Sequence, residues 1–161
     1  MFVIENEKIG LMQYTHDDDR DMYDCWMDID TQKGFNILFN ETFEEFCSFK
    51  IEKHRFWVTI YDKTKNRRVG TIRLGSDEIY PDLAIWIYPD HRHLGYGTSA
   101  YKLALRYLFE RYGFSKLSAG SYSNNLSSIK MLKNLGFVRC HERDSMETSV
   151  FTGETITQLE F

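Results

Sequence analysis

Residues 83–112 constrain the fold more than any other stretch of the chain. Leu83-Ala84-Ile85-Trp86-Ile87-Tyr88 is an apolar run of strand length, Pro89-Asp90 breaks it, and Arg92-His93-Leu94-Gly95-Tyr96-Gly97 follows. From Thr98 to Tyr112 the pattern is an amphipathic helix that buries Ala100, Leu103, Ala104, Tyr107 and Leu108, the spacing of one helical face. Gly113 stands where a helix ends. A near-continuous apolar strand suits a central position covered on both sides. Glycines let the backbone approach a ligand closely, and the first turn of a helix offers unpaired N–H groups with a partial positive charge. Strand, glycine turn and helix start together predict an anion cradle, and a phosphate-bearing ligand is expected there.

The remaining chain reads as alternating short elements. A strand is expected over Ile9 to Tyr14, and a helix over Asp17 to Asp30 with Met22, Cys25, Trp26 and Ile29 on one face. Thr15 with Asp18, and Thr42 with Glu45, carry the spacing of capping boxes. The second opens a helix in which Phe43, Phe46 and Cys47 share a face, and Thr31 to Asn40 is expected to be a loop. Phe56 to Tyr61 and Val69 to Leu74 read as a hairpin around the polar turn Asp62 to Arg68. Lys116 to Tyr122 is a further strand, Asn125 an N-cap for a helix through Leu135, and Gly136 its stop. Phe137 to Met146 and Glu154 to Phe161 are expected to close the fold as strands. The order predicts a mixed α/β (α+β) domain over 1–161, with a largely antiparallel central sheet of about six to seven strands and about four flanking helices.

Composition removes several function classes. With 161 residues and 42% hydrophobic content, a single domain can bury a core. A net charge of −4 gives no global attraction to nucleic acid or anionic membrane. No apolar stretch approaches the roughly 20 residues of a membrane span, and Met1 to Lys8 lacks a basic-then-apolar leader pattern. Cys25, Cys47 and Cys140 are widely spaced and form neither a zinc signature nor a disulfide framework, so a cytoplasmic protein is expected. His91-Arg92-His93 has no acidic or thiol partner set to complete a metal site, and no metal is expected.

On these residues the chain resembles the GCN5-related N-acetyltransferase (GNAT) superfamily over nearly its whole length. The family's phosphate signature, (Arg or Gln)-x-x-Gly-x-(Gly or Ala), is met by Arg92, Gly95 and Gly97. Its Asn-opened helix ending in Gly-Phe is met by Asn125 through Gly136-Phe137. Asp82 to Ile87 followed by Pro89-Asp90 looks like the branch of ribosomal-protein N-terminal and spermidine acetyltransferases, which often carries Glu where Asp82 stands. The resemblance implies a mixed GNAT fold, acetyl-CoA as co-substrate and an amine-bearing acceptor that attacks the thioester directly.

The resemblance also implies roles. The CoA pyrophosphate would lie on the N–H groups of His93, Leu94, Gly95, Tyr96, Gly97 and Thr98, with Arg92 nearby. Pantetheine would pair with the backbone of Trp86, Ile87 and Tyr88, and Asn125 would both cap its helix and bind pantetheine. Asp82 would be the general base, or else an ordinary strand-end carboxylate. N–H groups near Ile87 and Tyr88 would stabilise the oxyanion. The family's acid tyrosine corresponds to Leu132, while Ser128 matches a serine given that role in the ribosomal-protein branch and reads equally as a pantetheine contact. Lys130 and Lys133 reach adenosine phosphates or belong to a solvated face.

Other features carry alternatives. Acceptor specificity is expected from Thr31 to Asn40, its neighbouring helices, and Thr148 to Gly153. The aspartates of the first helix attract a cationic amine or simply face water. Trp26, Trp57 and Trp86 read as core, and Tyr122 as a rim aromatic or a group facing the thioester. Phe151, Ile156, Leu159 and Phe161, if exposed, would serve a homodimer contact. The competing class is a non-catalytic acyl-CoA-binding module with the same fold.

Overall fold

Alternation of apolar and polar residues places five consecutive strands side by side. The computed structural model describes residues 1–161. Strands β1 (Phe2–Glu5), β2 (Ile9–Gln13), β3 (Trp57–Asp62), β4 (Arg67–Leu74) and β5 (Leu83–Ile87) form one sheet in that order, every pair antiparallel. Between β2 and β3 lie the helices α1 (Asp19–Met27), α2 (Ile29–Phe35) and α3 (Phe43–Phe46). After β5 come α4 (Tyr96–Tyr112), β6 (Gly120–Tyr122), α5 (Leu126–Asn134), β7 (Ser145–Thr148) and β8 (Thr155–Glu160). The last three strands make a second antiparallel sheet in the order β6-β8-β7.

The mixed, largely antiparallel α/β architecture expected from the sequence is present, as eight strands in two sheets with five helices. Its details differ in instructive ways. The Asp17–Asp30 helix is broken at Asp28, whose backbone is extended (φ −73°, ψ 127°). The Asp28 carboxylate accepts from the Thr31 N–H at 2.9 Å, so it caps a new helix that takes up half of the expected 31–40 loop. β1 was not expected, and α3 is a single short turn. The strand expected from Phe137 shrinks to β7, preceded by a 3-10 turn at His141–Arg143. α4 starts at Tyr96 rather than Thr98 because Gly95 (φ 81°) turns the chain into it.

Position also needs correcting for β5, expected to be central in its sheet. It is the last strand of the first sheet. Its near-continuous apolar character comes from cover on both faces. Leu83 joins the α4 side of the core with Ile72, Ala100, Tyr101 and Leu108. Trp86 and Tyr88 join an aromatic layer under α1 to α3 with Tyr14, Met22, Phe46 and Trp57. The three tryptophans are core residues as expected, Trp57 and Trp86 being buried and Trp26 packing partly buried against them. Of the four apolar groups expected to serve a dimer contact if exposed, Phe161 is buried and Phe151, Ile156 and Leu159 are partly buried, whereas Met146 on β7 is exposed.

One buried carboxylate joins the sheet to α4. Asp62 has no exposed surface and accepts from the Thr64 N–H (2.8 Å) and hydroxyl (2.7 Å) and the Lys65 N–H (3.1 Å). It also accepts from the hydroxyl of Tyr96, the first residue of α4. Burial alone would raise its pKa, but these donors hold it well below the usual carboxylate range. A depressed folded value gives stability that is full above the unfolded pKa near 3.9 and is lost progressively only as pH falls from there through the much lower folded value. Replacing Tyr96 by Phe is expected to cost about 1–3 kcal/mol at pH 7. Urea unfolding at pH 7 and pH 3.5 checks this, the difference between Tyr96→Phe and the parent persisting at pH 3.5 because Asp62 is still ionised in the folded state there.

Candidate active site

Where the two sheets meet, they also part. They are joined by one parallel bridge, Asp82 to Ser118, in which the Leu83 N–H donates to Ser118 (3.0 Å) and the Ser118 N–H to Pro81 (2.9 Å). Beyond Leu83 the outer edge of β5 has no partner strand. Gly75 N–H donates to Asp82 and Tyr88 N–H to Val69, so residues 82, 84, 86 and 88 turn their backbone groups toward β4. Ile85 and Ile87 therefore face the opening. Of the three residues expected to pair with a pantetheine arm, Ile87 presents its backbone there, whereas Trp86 and Tyr88 are engaged with β4. The Tyr88 N–H is for the same reason not free to meet an oxyanion.

The opening continues into a cleft of about 660 Å³. Asp82, Trp86, Ile87, Arg92, Asn125 and Ser128 line it, together with every residue from His93 to Thr98 except Leu94. The Leu94 side chain is 49% exposed. Tyr88 is not part of the wall.

From His93 through Thr98, no backbone N–H donates to any group of the chain. The cause is local. His93 has φ 60° and Gly95 φ 81°, while Leu94 between them is not left-handed. Residues of alternating hand make successive N–H groups converge into a nest. The first turn of the 17-residue helix α4 then adds its own unpaired donors and its dipole. At Gly97 an added Cβ would stand 3.3 Å from Met131 Sδ, so the helix start packs closely against α5.

Arg92 does not bring its charge to these amides. Its guanidinium bonds Asp28 (2.8 Å), the Thr31 hydroxyl (2.6 Å) and the Ile87 carbonyl (3.2 Å), tying the α1–α2 break to the end of β5. Burial would raise the Asp28 pKa, but the Thr31 amide and Arg92 pull it down. Asp82 is exposed, and its carboxylate lies over Gly75, where an added Cβ would be 1.8 Å from Oδ1. Asn125 caps α5 as expected by accepting from the Ser128 N–H at 3.2 Å. Leu132 is buried in the core, and Lys130 and Lys133 are exposed.

The aspartates around α1 are largely matched within the chain. Asp18 pairs with Arg68 at 2.6 Å, Asp19 with His16 at 2.7 Å and the Tyr14 hydroxyl at 2.8 Å, and Asp24 with Arg20 at 3.4 Å. Tyr122 donates to Glu147 at 2.8 Å, and burial together with that carboxylate pushes its pKa up to about 12. Two segments expected to set acceptor specificity, Thr31 to Asn40 and Thr148 to Gly153, are tied together. Asn36 donates to the Thr148 carbonyl (3.1 Å) and accepts from the Val150 N–H (2.9 Å), strapping α2 to the β7–β8 connection. Asp28-x-x-Thr31 was a legible cap, hidden inside a longer amphipathic pattern.

An antiparallel sheet opened beside a helix-start amide nest, with helices closing both faces, is the architecture of the GNAT acetyltransferase fold. The chain belongs to that family: residues 4–138 match the acetyltransferase (GNAT) domain model. Solved structures agree on the fold. A GNAT-family acetyltransferase from Bacillus anthracis matches at 17% identity and TM-score 0.78, covering 100% of this chain and 98% of that one. Spermidine N-acetyltransferase from Vibrio cholerae, in complex with CoA and spermine, matches at 17% identity and TM-score 0.81, covering 97% and 96%. Ribosomal-protein-S5-alanine acetyltransferase from Vibrio fischeri matches at 14% identity and TM-score 0.77, covering 98% and 94%. No curated protein sequence matches the chain.

The partly buried Arg92–Asp28 pair makes a measurable prediction. A double-mutant cycle with Arg92→Ala and Asp28→Ala is expected to give a coupling of about 1.5–3 kcal/mol in urea unfolding. Amide exchange in Ile29–Phe35 should speed up in either single variant.

Proposed function

We propose that this protein is an acetyl-CoA-dependent N-acetyltransferase that moves an acetyl group to a primary amine by direct attack on the thioester. The observation that carries the reading is the unbroken run of undonated amides from His93 to Thr98, beside a strand edge with no partner. A diphosphate supplies acceptors for convergent N–H groups at a helix start. An arm bearing amides supplies the missing strand along Ile85 and Ile87. Asn125 and Ser128 line the opposite wall and would hold that arm from α5.

The chemistry follows from this placement. A protonated amine with pKa near 10.4 must lose a proton before it attacks. Asp82 stands at the mouth of the cleft where the sheets part and would accept that proton, directly or through water. The amine nitrogen then bonds the acetyl carbon. The tetrahedral oxyanion would be met by the Ile87 N–H. Collapse breaks the carbon–sulfur bond and releases the CoA thiolate; the nitrogen gives up its second proton to water in the cleft and the thiolate takes one up, leaving an N-acetyl amide and CoA. Metal, nucleic acid and covalent enzyme intermediates have no part in the scheme.

Calorimetry with CoA and acetyl-CoA tests the foundation, and the absence of heat up to millimolar ligand would sink it. Gly95→Ala forces an L-residue into a left-handed turn at a cost of about 1–2 kcal/mol, so CoA affinity is expected to fall about tenfold or more. For Asp82→Ala, acetyl transfer followed by CoA release is expected to drop about 10²–10⁴-fold in kcat with CoA binding retained. Unchanged turnover would clear Asp82 of the role, and tight CoA binding without transfer to any amine would favour a non-catalytic acyl-CoA-binding module.

A further inference from the structure

On the opposite side of the first sheet from α4, one cation stands without a partner. Trp57 on β3, Arg73 on β4 and Ala84 on β5 are direct neighbours in register. The Arg73 guanidinium lies 5.2 Å from the Trp57 ring centroid and 5.4 Å from that of Trp86. It forms none of the side-chain hydrogen bonds or ion pairs that the other partly buried arginines, Arg92, Arg139 and Arg143, make. Burial draws its pKa down, opposed by the nearby Asp82 charge, yet a guanidinium stays ionised in proteins. Buried charges are ordinarily paired. The Trp86 indole N–H in the same layer is also buried without an acceptor.

Arg73 lines a second cavity, of about 610 Å³, whose other walls include Trp26, Phe39, Phe46, Phe49 and Trp57. Two glutamates border it, and Glu45 is already engaged by the N–H and hydroxyl of Thr42. The cavity adjoins the first cleft through an aromatic partition: Phe35 stacks on Trp86 at 4.9 Å, and Trp26 meets both. Side chains 82, 84 and 86 share the sheet face of Arg73. With strands about 4.8 Å apart, Arg73 is one strand in from the open edge of β5.

We propose that this cavity receives the acceptor, and that the acceptor is an α-amino acid with a large apolar side chain. Its carboxylate would sit on Arg73, its side chain among the aromatic walls, and its amine past the small Ala84 side chain toward Asp82, with the Phe35–Trp86 stack moving aside to admit it to the β5 edge. A planar guanidinium matches a carboxylate with two parallel bonds. A polyamine would instead bring positive charge against an unpaired cation in a poorly screened site. The inference rests on the acetyl-transfer reading, and it names the substrate of that same site.

The test compares L-phenylalanine with phenethylamine, its decarboxylated analogue, and with spermidine. Acetyl transfer by the full chain is expected to favour L-phenylalanine over phenethylamine about tenfold or more in kcat/KM. Arg73→Gln should erase that ratio, and Arg73→Lys should retain part of it, whereas a merely structural role would lower both substrates together. Equal or better use of phenethylamine or spermidine by the parent overturns the proposal, as does an unchanged ratio in Arg73→Gln. Titration of the same compounds by tryptophan emission decides the cavity independently of turnover. Loss of CoA binding would remove the acetyl-transfer reading, but tighter binding of L-phenylalanine than of phenethylamine would still uphold Arg73 as a carboxylate site, and its absence would remove that too.

Discussion

The parting of β5 from β6 after a single bridge is the constraint on which the site depends. A sheet continuing past Leu83 would pair the backbone of Ile85 and Ile87 and leave no cleft. The separation is enforced from both sides. Tyr101 of α4 donates its hydroxyl to the Leu83 carbonyl at 2.6 Å, taking an edge acceptor at the last paired position. Arg92 takes the Ile87 carbonyl at 3.2 Å. Between them lies a short length of backbone with unmet hydrogen-bonding capacity, which is costly in a closed core and useful at an opening.

The nest of amides is held by two polar clamps. Tyr96 to Asp62 fixes the start of α4 to the β3–β4 turn, and Arg92 to Asp28 fixes the preceding loop to the α1–α2 break. Because Asp28 neutralises Arg92, an anion at His93–Thr98 would be met by backbone dipoles rather than by a side-chain cation. Such binding is directional and depends on the φ values at His93 and Gly95. The matched aspartates near α1 fit the same picture, since Arg68, Arg20 and Arg92 pair with Asp18, Asp24 and Asp28, and Asp19 accepts from the Tyr14 hydroxyl.

Patterns of local chemistry were legible, and long-range pairing was not. Gly95, Asn125 and Gly136 announced their turn and caps because each conformation is set within four residues. The hairpin of β3 and β4 followed from alternation. β1 escaped because Phe2–Glu5 is too short to show a period, and becomes a strand only by pairing with β2. The break at Asp28 escaped because the apolar face of α1 runs past it, and tertiary contact with Arg92 decides the matter. Arg73 gave no signal: an arginine inside Thr71-Ile72-Arg73-Leu74 reads as an outward strand residue until the opposite face proves to be covered by aromatic side chains. Register parity, too, lies beyond composition, so only the structure separates Ile87 from Trp86 and Tyr88.

The buried Leu132, at the family's usual acid position, bears on how the proposed reaction ends. Three tyrosines line the cleft, and each hydroxyl donates elsewhere: Tyr96 to Asp62, Tyr101 to the Leu83 carbonyl and Tyr122 to Glu147. A phenol whose proton is held by a carboxylate and whose pKa stands near 12, as for Tyr122, is a poor source of a proton. A thiolate leaving group, with pKa near 8.5, scarcely needs one. Expulsion of CoA in this scheme therefore rests on leaving-group stability and on water in the open cleft. Catalytic demand then falls on the opposite end of the reaction, where the amine must arrive neutral and aimed.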